Sequence, residues 1–493
     1  MRRLLGLAIR YALGPALALV LALVATPGVA RAEVSEAPAR PDEQFDVMNL
    51  LSKNHLHDLH EEDWNAYGQI TGIASYKLPF SAAYTKPGFS LSTDKEVSWT
   101  TSVTAYLGLR LWQGAELYVV PEMIAEVPLS GLRGLGGAIQ NFELQKQGQA
   151  TPTVYRSRAY LTQTIPLGGE RLDLDSQPQQ LAGHRKTSRR LELVVGNYSI
   201  GDFFDKNTYS GPLRQQFFNM SFLTYAAYDF VADARGFSWG ATAALFWDDW
   251  DMHVGRLAPP LNPNSLPLTF QLDQFYGDQI EIEHNHKLFG RPGAVRVLGY
   301  HNRESMGRFD DAVAAFRKDP TQNAANCGNL YNYGSPSTDA PDLCFVRRPN
   351  DKYGIGINLE QEIAPDIGVF FRGMYSDGQT EVYAFTSTDR SIAFGVLGKG
   401  TVWRRPRDVT GIGAGFNWIS QQHADYLKAG GVEGFVGDGN ITAATESVLD
   451  VFYSVNVISS VWLSGDYQHI VNPAFNSDRG PVDIFGARFH AEF

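Results

Sequence analysis

The 493-residue chain has only two cysteines. Cys327 and Cys344 lie in or beside one polar stretch, Asn326 to Asp342, rich in Asn, Gly, Ser and Pro. In an oxidising compartment they are expected to form one loop disulfide. A metal site would need more ligands nearby. After residue 32 no run approaches the roughly 20 apolar residues of a membrane helix. That excludes a helical span. A closed barrel, which pairs all its backbone groups, remains open to the chain. Basic residues are also short: 42 Lys and Arg face 53 Asp and Glu, a net charge of −11, with no clustered basic stripe. This argues against nucleic acid as a partner. No P-loop occurs, so no cofactor is implied. No inter-domain linker or composition shift divides the chain. His253, His284, His286, His301 and His490 are scattered and stand in no catalytic motif, so the chain is not read as an enzyme.

The start is a processing signal. Met1-Arg2-Arg3 is basic, an apolar stretch runs from Tyr11 to about Ala25, and Ala30-Arg31-Ala32 offers a small-residue cleavage site. Residues 1–32 are expected to be a signal peptide. Its removal takes four basic and no acidic residues, leaving 461 residues at about −15. Residues 33–63 precede any alternating pattern and read as a periplasmic segment. Asn49 to His57 within it suggests a short helix. His55, His57, His60, Glu61, Glu62 and Asp63 resemble metal ligands but lack a fixed spacing such as His-Glu-x-x-His. They read as a solvated, charged approach to the first strand, and no metal is assigned.

From residue 64 the period is two. Successive side chains in a strand point to opposite faces. In Phe485 to Phe493 every second residue is apolar (Phe485, Ala487, Phe489, Ala491, Phe493), while Gly486, Arg488, His490 and Glu492 lie between. Val97 to Leu111 alternates Val, Trp, Ala and Leu with Ser, Thr, Tyr, Gly and Arg. Trp64 to Tyr76 and Ala115 to Ala125 repeat the scheme. One such strand would suit a soluble sandwich. Many suit a barrel that is greasy outside and wet inside. The 48 glycines, 22 Tyr, 29 Phe and 9 Trp fit tight turns and aromatic girdles.

Short turns at Gln113-Gly114, Asp248-Asp249, Phe289–Pro292, Ala364–Asp366 and Ser459-Ser460 alternate with long polar segments over 127–153, 200–234, 305–350 and 419–445. Strands leading up from the short turns start near 64, 115, 190, 250, 294, 367, 409 and 461. Those leading down start near 97, 154, 235, 277, 352, 391, 446 and 483. The fold class is therefore all-β: a transmembrane antiparallel barrel of sixteen strands over 64–493, with short periplasmic turns and long outer loops. Phe217–Phe230 is left outside the wall as loop, which keeps eighteen strands as the alternative. Trp64, Trp112, Trp247, Trp250, Phe289 and Phe493 cluster at the short-turn ends as a girdle.

Parity gives the inner face. It carries Glu116, Tyr118, Glu122, Arg156, Arg158, Tyr160, Glu281, Glu283, Arg296, Tyr300, Asn358, Glu360, Arg372, Asp466, Gln468, Arg488 and His490. Mixed charges set up a transverse field across a wet lumen. Tyr118 and Tyr160 offer flat rings for the C–H face of a sugar, and acids with arginine forks suit its hydroxyls. Lumen charges also pair simply to fill a barrel.

Several phrases carry a resemblance. They are Val127–Gly137 (VPLSGLRGLGG), Gly196–Asp205 (GNYSIGDFFD), Ala227–Gly236 (AYDFVADARG), and Asn472–Val482 (NPAFNSDRGPV) followed by Arg488-Phe489-His490. In this order and spacing the chain from about Trp64 to Phe493 resembles the carbohydrate-selective porins of the OprB type. The resemblance implies a sixteen-stranded outer-membrane barrel that passes monosaccharides, glucose among them, by facilitated diffusion. It implies a constriction lined by arginines and acids. Arg156, Arg158, Arg372, Glu116 and Glu360 are the inward candidates, with Tyr118 and Tyr160 beside them. The Cys-containing loop matches no phrase of the family. Pro128–Gly137 is expected either to fold into the lumen or to brace the rim. Membrane lipid and small sugars are the partners implied. Monomer and homotrimer both remain open. The competing readings are a channel for another solute, such as a polysaccharide exporter, and a plugged structural barrel or adhesin.

Overall fold

In a computed structural model, which describes residues 46–144, 149–211, 214–321, 339–458 and 460–493, sixteen antiparallel strands close into one barrel. The signal peptide expected over 1–32 lies outside the described residues. The strands that lead up from the turn end are β1 (Trp64–Lys77), β3 (Ala115–Val127), β5 (Thr187–Tyr198), β7 (Trp250–Leu257), β9 (Arg291–Met306), β11 (Ile367–Ser376), β13 (Arg405–Trp418) and β15 (Val461–Val471). Those that return are β2 (Glu96–Trp112), β4 (Thr153–Arg171), β6 (Ser238–Trp247), β8 (Tyr276–Leu288), β10 (Arg348–Ala364), β12 (Arg390–Gly400), β14 (Glu446–Ile458) and β16 (Val482–Glu492). The count is sixteen, not eighteen.

Alternation decides which face each residue takes. In β2, Val97, Leu107, Leu109 and Leu111 are exposed on the outside, while Ser98, Thr100, Ser102 and Thr104 are buried inside. An apolar exterior against lipid and a polar interior is the pattern of a membrane barrel. The tight turn after β2 uses Gly114 at φ +77, a conformation costly for residues with a Cβ. The seam closes where β1 pairs β16, Gln69 opposite Glu492. The backbones of Gly68 and Phe493 exchange two further hydrogen bonds, at 2.6 and 2.9 Å. The Phe493 ring lies over Gly68, filling the space where a Cβ would stand.

The core lies inside the wall. Residues 199–211 and 214–237, between β5 and β6, turn inward rather than outward. Phe217, Phe218, Phe222, Tyr225 and Tyr228 are fully buried there, and they pack on the inner-face rings of Phe370, Phe452 and Tyr300. Ten or more aromatic and aliphatic side chains removed from water at about 25 cal/mol per Å2 make this the main apolar contribution to the fold. Residues 129–144 lie beside that loop: Met220 N donates to Ile139 O at 2.8 Å, and Phe142 N to Phe218 O at 2.9 Å. The Gly136, Gly137 and Ala138 amides converge on the Glu446 carboxylate at 2.7–2.9 Å. The glycine-rich phrase therefore braces the rim at its end, and the residues beyond it, Ile139 and Phe142, pair with the inward loop.

Both ends carry smaller structures. At the loop end, α2 (Phe309–Lys318) packs against α3 (Gln421–Lys428), with Phe309 stacked on His423 at 4.3 Å. Ser420 caps α3 through His423 N. At the turn end, α1 (Val47–Lys53) is capped by Asp46. Met48 of α1 lies against the edge of β1 that β16 does not reach, its sulfur accepting from Ala66 N. Cys344 is disulfide-bonded and buried beside the loop-end helices. Cys327 lies outside the described residues.

Candidate functional site

Residues 199–211 and 214–237 cross the lumen and are tied to most of the wall. Asp202 is held by Arg158 of β4 through two bonds, at 2.7 and 2.8 Å. Asp205 is held by Arg372 of β11 at 3.0 Å and by Asn358 of β10 at 2.5 Å. Thr208 N donates to Glu360 of β10 at 2.6 Å. Arg214 reaches Glu122 of β3 and Glu143 of the neighbouring segment at 3.4 and 3.3 Å. Arg488 of β16 donates to Gln216 O, and Asp450 of β14 accepts from the Phe218 and Asn219 amides. Buried polar groups must be satisfied, and here wall and loop satisfy one another.

The residues read from the sequence fall into three groups. Arg158 faces the lumen, its side chain 16 % exposed. Arg372 and Glu360 also face inward, but both are buried and spent on the loop. Arg372 donates to Asp205, Ser210 O and Phe222 O. Glu360 takes Thr208 N and Arg296. Glu116 accepts from Tyr118 at 2.8 Å and pairs with Arg110 at 3.4 Å near the turn end. The Tyr118 and Tyr160 rings lie 5.3 Å apart, yet each is covered. Tyr160 packs on Phe203 and donates to Gln179. Residues 172–186, the connection from β4 to β5, form this cover. The buried Glu62 anchors them, accepting from Ser176 Oγ and Ala182 N at 2.7 and 2.8 Å. His57 adds a 3.0 Å contact to the same carboxylate. Among the described residues no His, Cys, Asp or Glu group is arranged to hold a metal ion.

Arg156 requires a correction. Parity puts it in the lumen beside Arg158, but it points out of the barrel, its guanidinium 5.1 Å from the ring centre of the outward Trp239. Register explains this. Val120 is opposite Arg158, and the next residue, Pro121, is opposite Arg156, so Ser157 is an extra residue. Pro121 has no N–H to give the ladder. The bulge forms there, and Ser157 Oγ donates to Val120 O instead. One extra residue moves every later side chain to the other face. Pro121 is the visible signal.

Two functional candidates escape strand parity because they sit on the loop. Lys206 lies between Asp205 and Asn207, both fixed to the wall, with its own carbonyl accepting from Asn358 at 3.0 Å. Its side chain is exposed inside the barrel. Arg214 is part-exposed, donates to Tyr106 Oη at 3.2 Å, and has an Nε without an acceptor. Arg158, Lys206 and Arg214 thus bring three cations to the lumen. Asp202, Glu192, Glu283 and Glu492 bring partly exposed acids to the same interior.

With this interior in view, comparison with known proteins is informative. The sequence matches the carbohydrate-selective porin family, OprB, over residues 90–493. The chain belongs to the OprB family. It is a sugar porin of a channel family, not an enzyme family. OprB of Pseudomonas putida, in its high-pH structure, superposes with a TM-score of 0.63 at 14 % identity, over 87 % of this chain and 94 % of that one. That likeness supports the fold. The low-pH structure of the same porin gives 0.44 at 12 % identity, over 90 % and 96 %. The channel DcaP of Acinetobacter baumannii gives 0.47 at 10 %, over 87 % and 97 %. A search of curated proteins finds no match.

Proposed function

We propose that this porin passes glucose and similar monosaccharides passively across an outer membrane into the periplasm, selecting them at a constriction where Arg158, Lys206 and Arg214 stand among lumen acids. The carrying observation is the inward loop: it crosses the lumen and leaves those three cations part-exposed or exposed inside the barrel. Charged forks and carboxylates bind hydroxyl groups without a net charge on the solute. Weak, multiple contacts let solute leave again, as conduction requires. Export through the signal at residues 1–32 fits this location, with residues 33–63 and the short turns in the periplasm. Of the residues read from the sequence, Arg158 is the one retained at the constriction. Arg372, Glu360 and Glu116 position other groups.

Liposome swelling tests this reading. Purified, refolded protein should admit glucose faster than an uncharged non-sugar of the same size, and a disaccharide more slowly. Arg158→Gln/Lys206→Gln should abolish the preference for glucose while the pore still conducts ions. Equal rates for glucose and the non-sugar in the unaltered protein would refute sugar selection.

A further inference from the structure

On the turn-end side of the inward loop, three neighbouring strands bring unpartnered polar groups to one place in the lumen. Register puts Glu192 of β5 opposite Ala244 of β6, and Ala244 opposite His253 of β7. All three point inward, so Glu192 and His253 stand in one row, two strand spacings or about 10 Å apart, with only a methyl group between them. His253 is three residues from the start of β7 at Trp250, hence near the turn end. Its ring lies T-shaped against Phe204 of the loop and Phe246 of β6, at 5.9 and 5.5 Å. Lys206, two residues past Phe204, comes over the same place: Glu192 and Lys206 are both within electrostatic reach of the imidazole.

Each of these three side chains has a polar atom left over. The two cations beside Glu192, Lys186 at 3.1 Å and Arg190 at 2.6 Å, both take its Oε1, so Oε2 accepts no hydrogen bond among the described residues. Lys206 Nζ has no hydrogen-bond partner among them either, and its side chain is exposed inside the barrel. Neither nitrogen of His253 is bonded: Nδ1 is sealed from water while the ring is part-exposed, so Nε2 is the nitrogen that meets the lumen. The other charged groups near the ring, Glu283 and Arg296, close on each other at 2.8 Å. The set therefore holds one donor, one acceptor and one nitrogen that is either, according to tautomer. A hydroxyl is itself both donor and acceptor, and adjacent hydroxyls on one ring can meet all three.

We infer that His253, with Glu192 and Lys206, forms a second hydroxyl-binding site for monosaccharides on the exit side of the constriction, and that His253 Nε2 takes one particular hydroxyl. A sugar leaving Arg158 and Arg214 meets this site before it reaches the periplasm. Each member offers a single contact, so the sugar can leave again. The inference rests on the sugar selection proposed above.

The test is ion current through the full-length porin in planar bilayers, titrated with glucose, a series of monodeoxyglucoses and an uncharged non-sugar of glucose's size. Sugar held in the lumen blocks the current. His253→Phe should raise the half-blocking glucose concentration about fivefold, the strength of one neutral hydrogen bond. Current without sugar, and block by the non-sugar, should not change. One monodeoxyglucose should show the same loss with the unaltered protein and no further loss in the variant, which a merely structural histidine does not produce. An unchanged half-blocking concentration in the variant overturns the inference and leaves sugar selection standing. A loss shared equally by glucose and every deoxy sugar also overturns it. If the unaltered protein does not distinguish glucose from the non-sugar, the inference falls together with the reading it rests on. Should His253→Phe fail to fold, the unaltered protein decides. Glucose, but not the non-sugar, should slow acylation of His253 by diethyl pyrocarbonate, read by peptide mass spectrometry; equal protection by both, or none, overturns the inference.

Discussion

Arg372→Ala should widen the pore without unfolding the barrel. The guanidinium is buried and makes its bonds to one loop: Asp205 Oδ1 and O at 3.0 and 3.1 Å, Ser210 O at 2.7 Å and Phe222 O at 3.2 Å. Truncation leaves the Asp205 carboxylate inside the barrel with Asn358 and Thr224 as its remaining side-chain donors, and strands two further carbonyls. Breaking a buried pair from one side costs about 3–5 kcal/mol. The wall loses no ladder bond, so the cost falls on docking of the loop over 199–237. A change of about 4 kcal/mol raises the undocked population roughly a thousandfold. Single-channel recording in planar bilayers should show frequent openings to a larger conductance level. Liposomes should then admit the disaccharide at a rate nearer that of glucose. Normal conductance and an unchanged size cutoff, in a variant whose strand content is intact, would refute the claim that this arginine holds the constriction.

Arg158→Lys keeps the charge but gives up the two-pronged grip on Asp202; glucose swelling should fall several-fold while ion conductance changes little. Gly196→Ala should destabilise the barrel by about 1–3 kcal/mol in urea unfolding, since φ is +144° there and a Cβ would meet Ala159 O at 2.4 Å. Glu61 is held below the usual glutamate range by the His184 amide, with Arg185 assisting. Its contribution to holding residues 172–186 is present above the ordinary value of 4.5 and is lost as pH falls through the depressed one. Amide exchange at Gly183 and His184 should therefore rise in acid, and Glu61→Gln should remove that dependence.

The wall is legible because a period of two is a local signal repeated sixteen times, and each short turn marks its own ends. Expected strand starts at 64, 115, 250, 367 and 461 coincide with those of the structure. The bulge at Ser157 escapes simple parity, although Pro121 opposite it announces a ladder position that cannot be filled. The proposed constriction is harder. Its cations Lys206 and Arg214 sit in a segment without periodicity, where parity says nothing. What does speak in that segment is its composition: Phe217, Phe218, Phe222, Tyr225, Tyr228 and Phe230 are too apolar for a loop facing water. Such a loop has to find a surface to cover, and the nearest is the inside of its own barrel.

A hollow cylinder in a bilayer is soft against ovalisation, because its strands can hinge along the hydrogen-bonded seams. The inner loop works against that mode as a tie-rod does in a hoop. It is fastened to β3, β4, β10, β11, β14 and β16, on opposing sides of the circumference. Lateral pressure from the membrane then loads buried ion pairs before it changes the cross-section. The aperture and the roundness of the wall are set by the same bonds, so conductance should stay constant between thin and thick bilayers for as long as those fastenings hold.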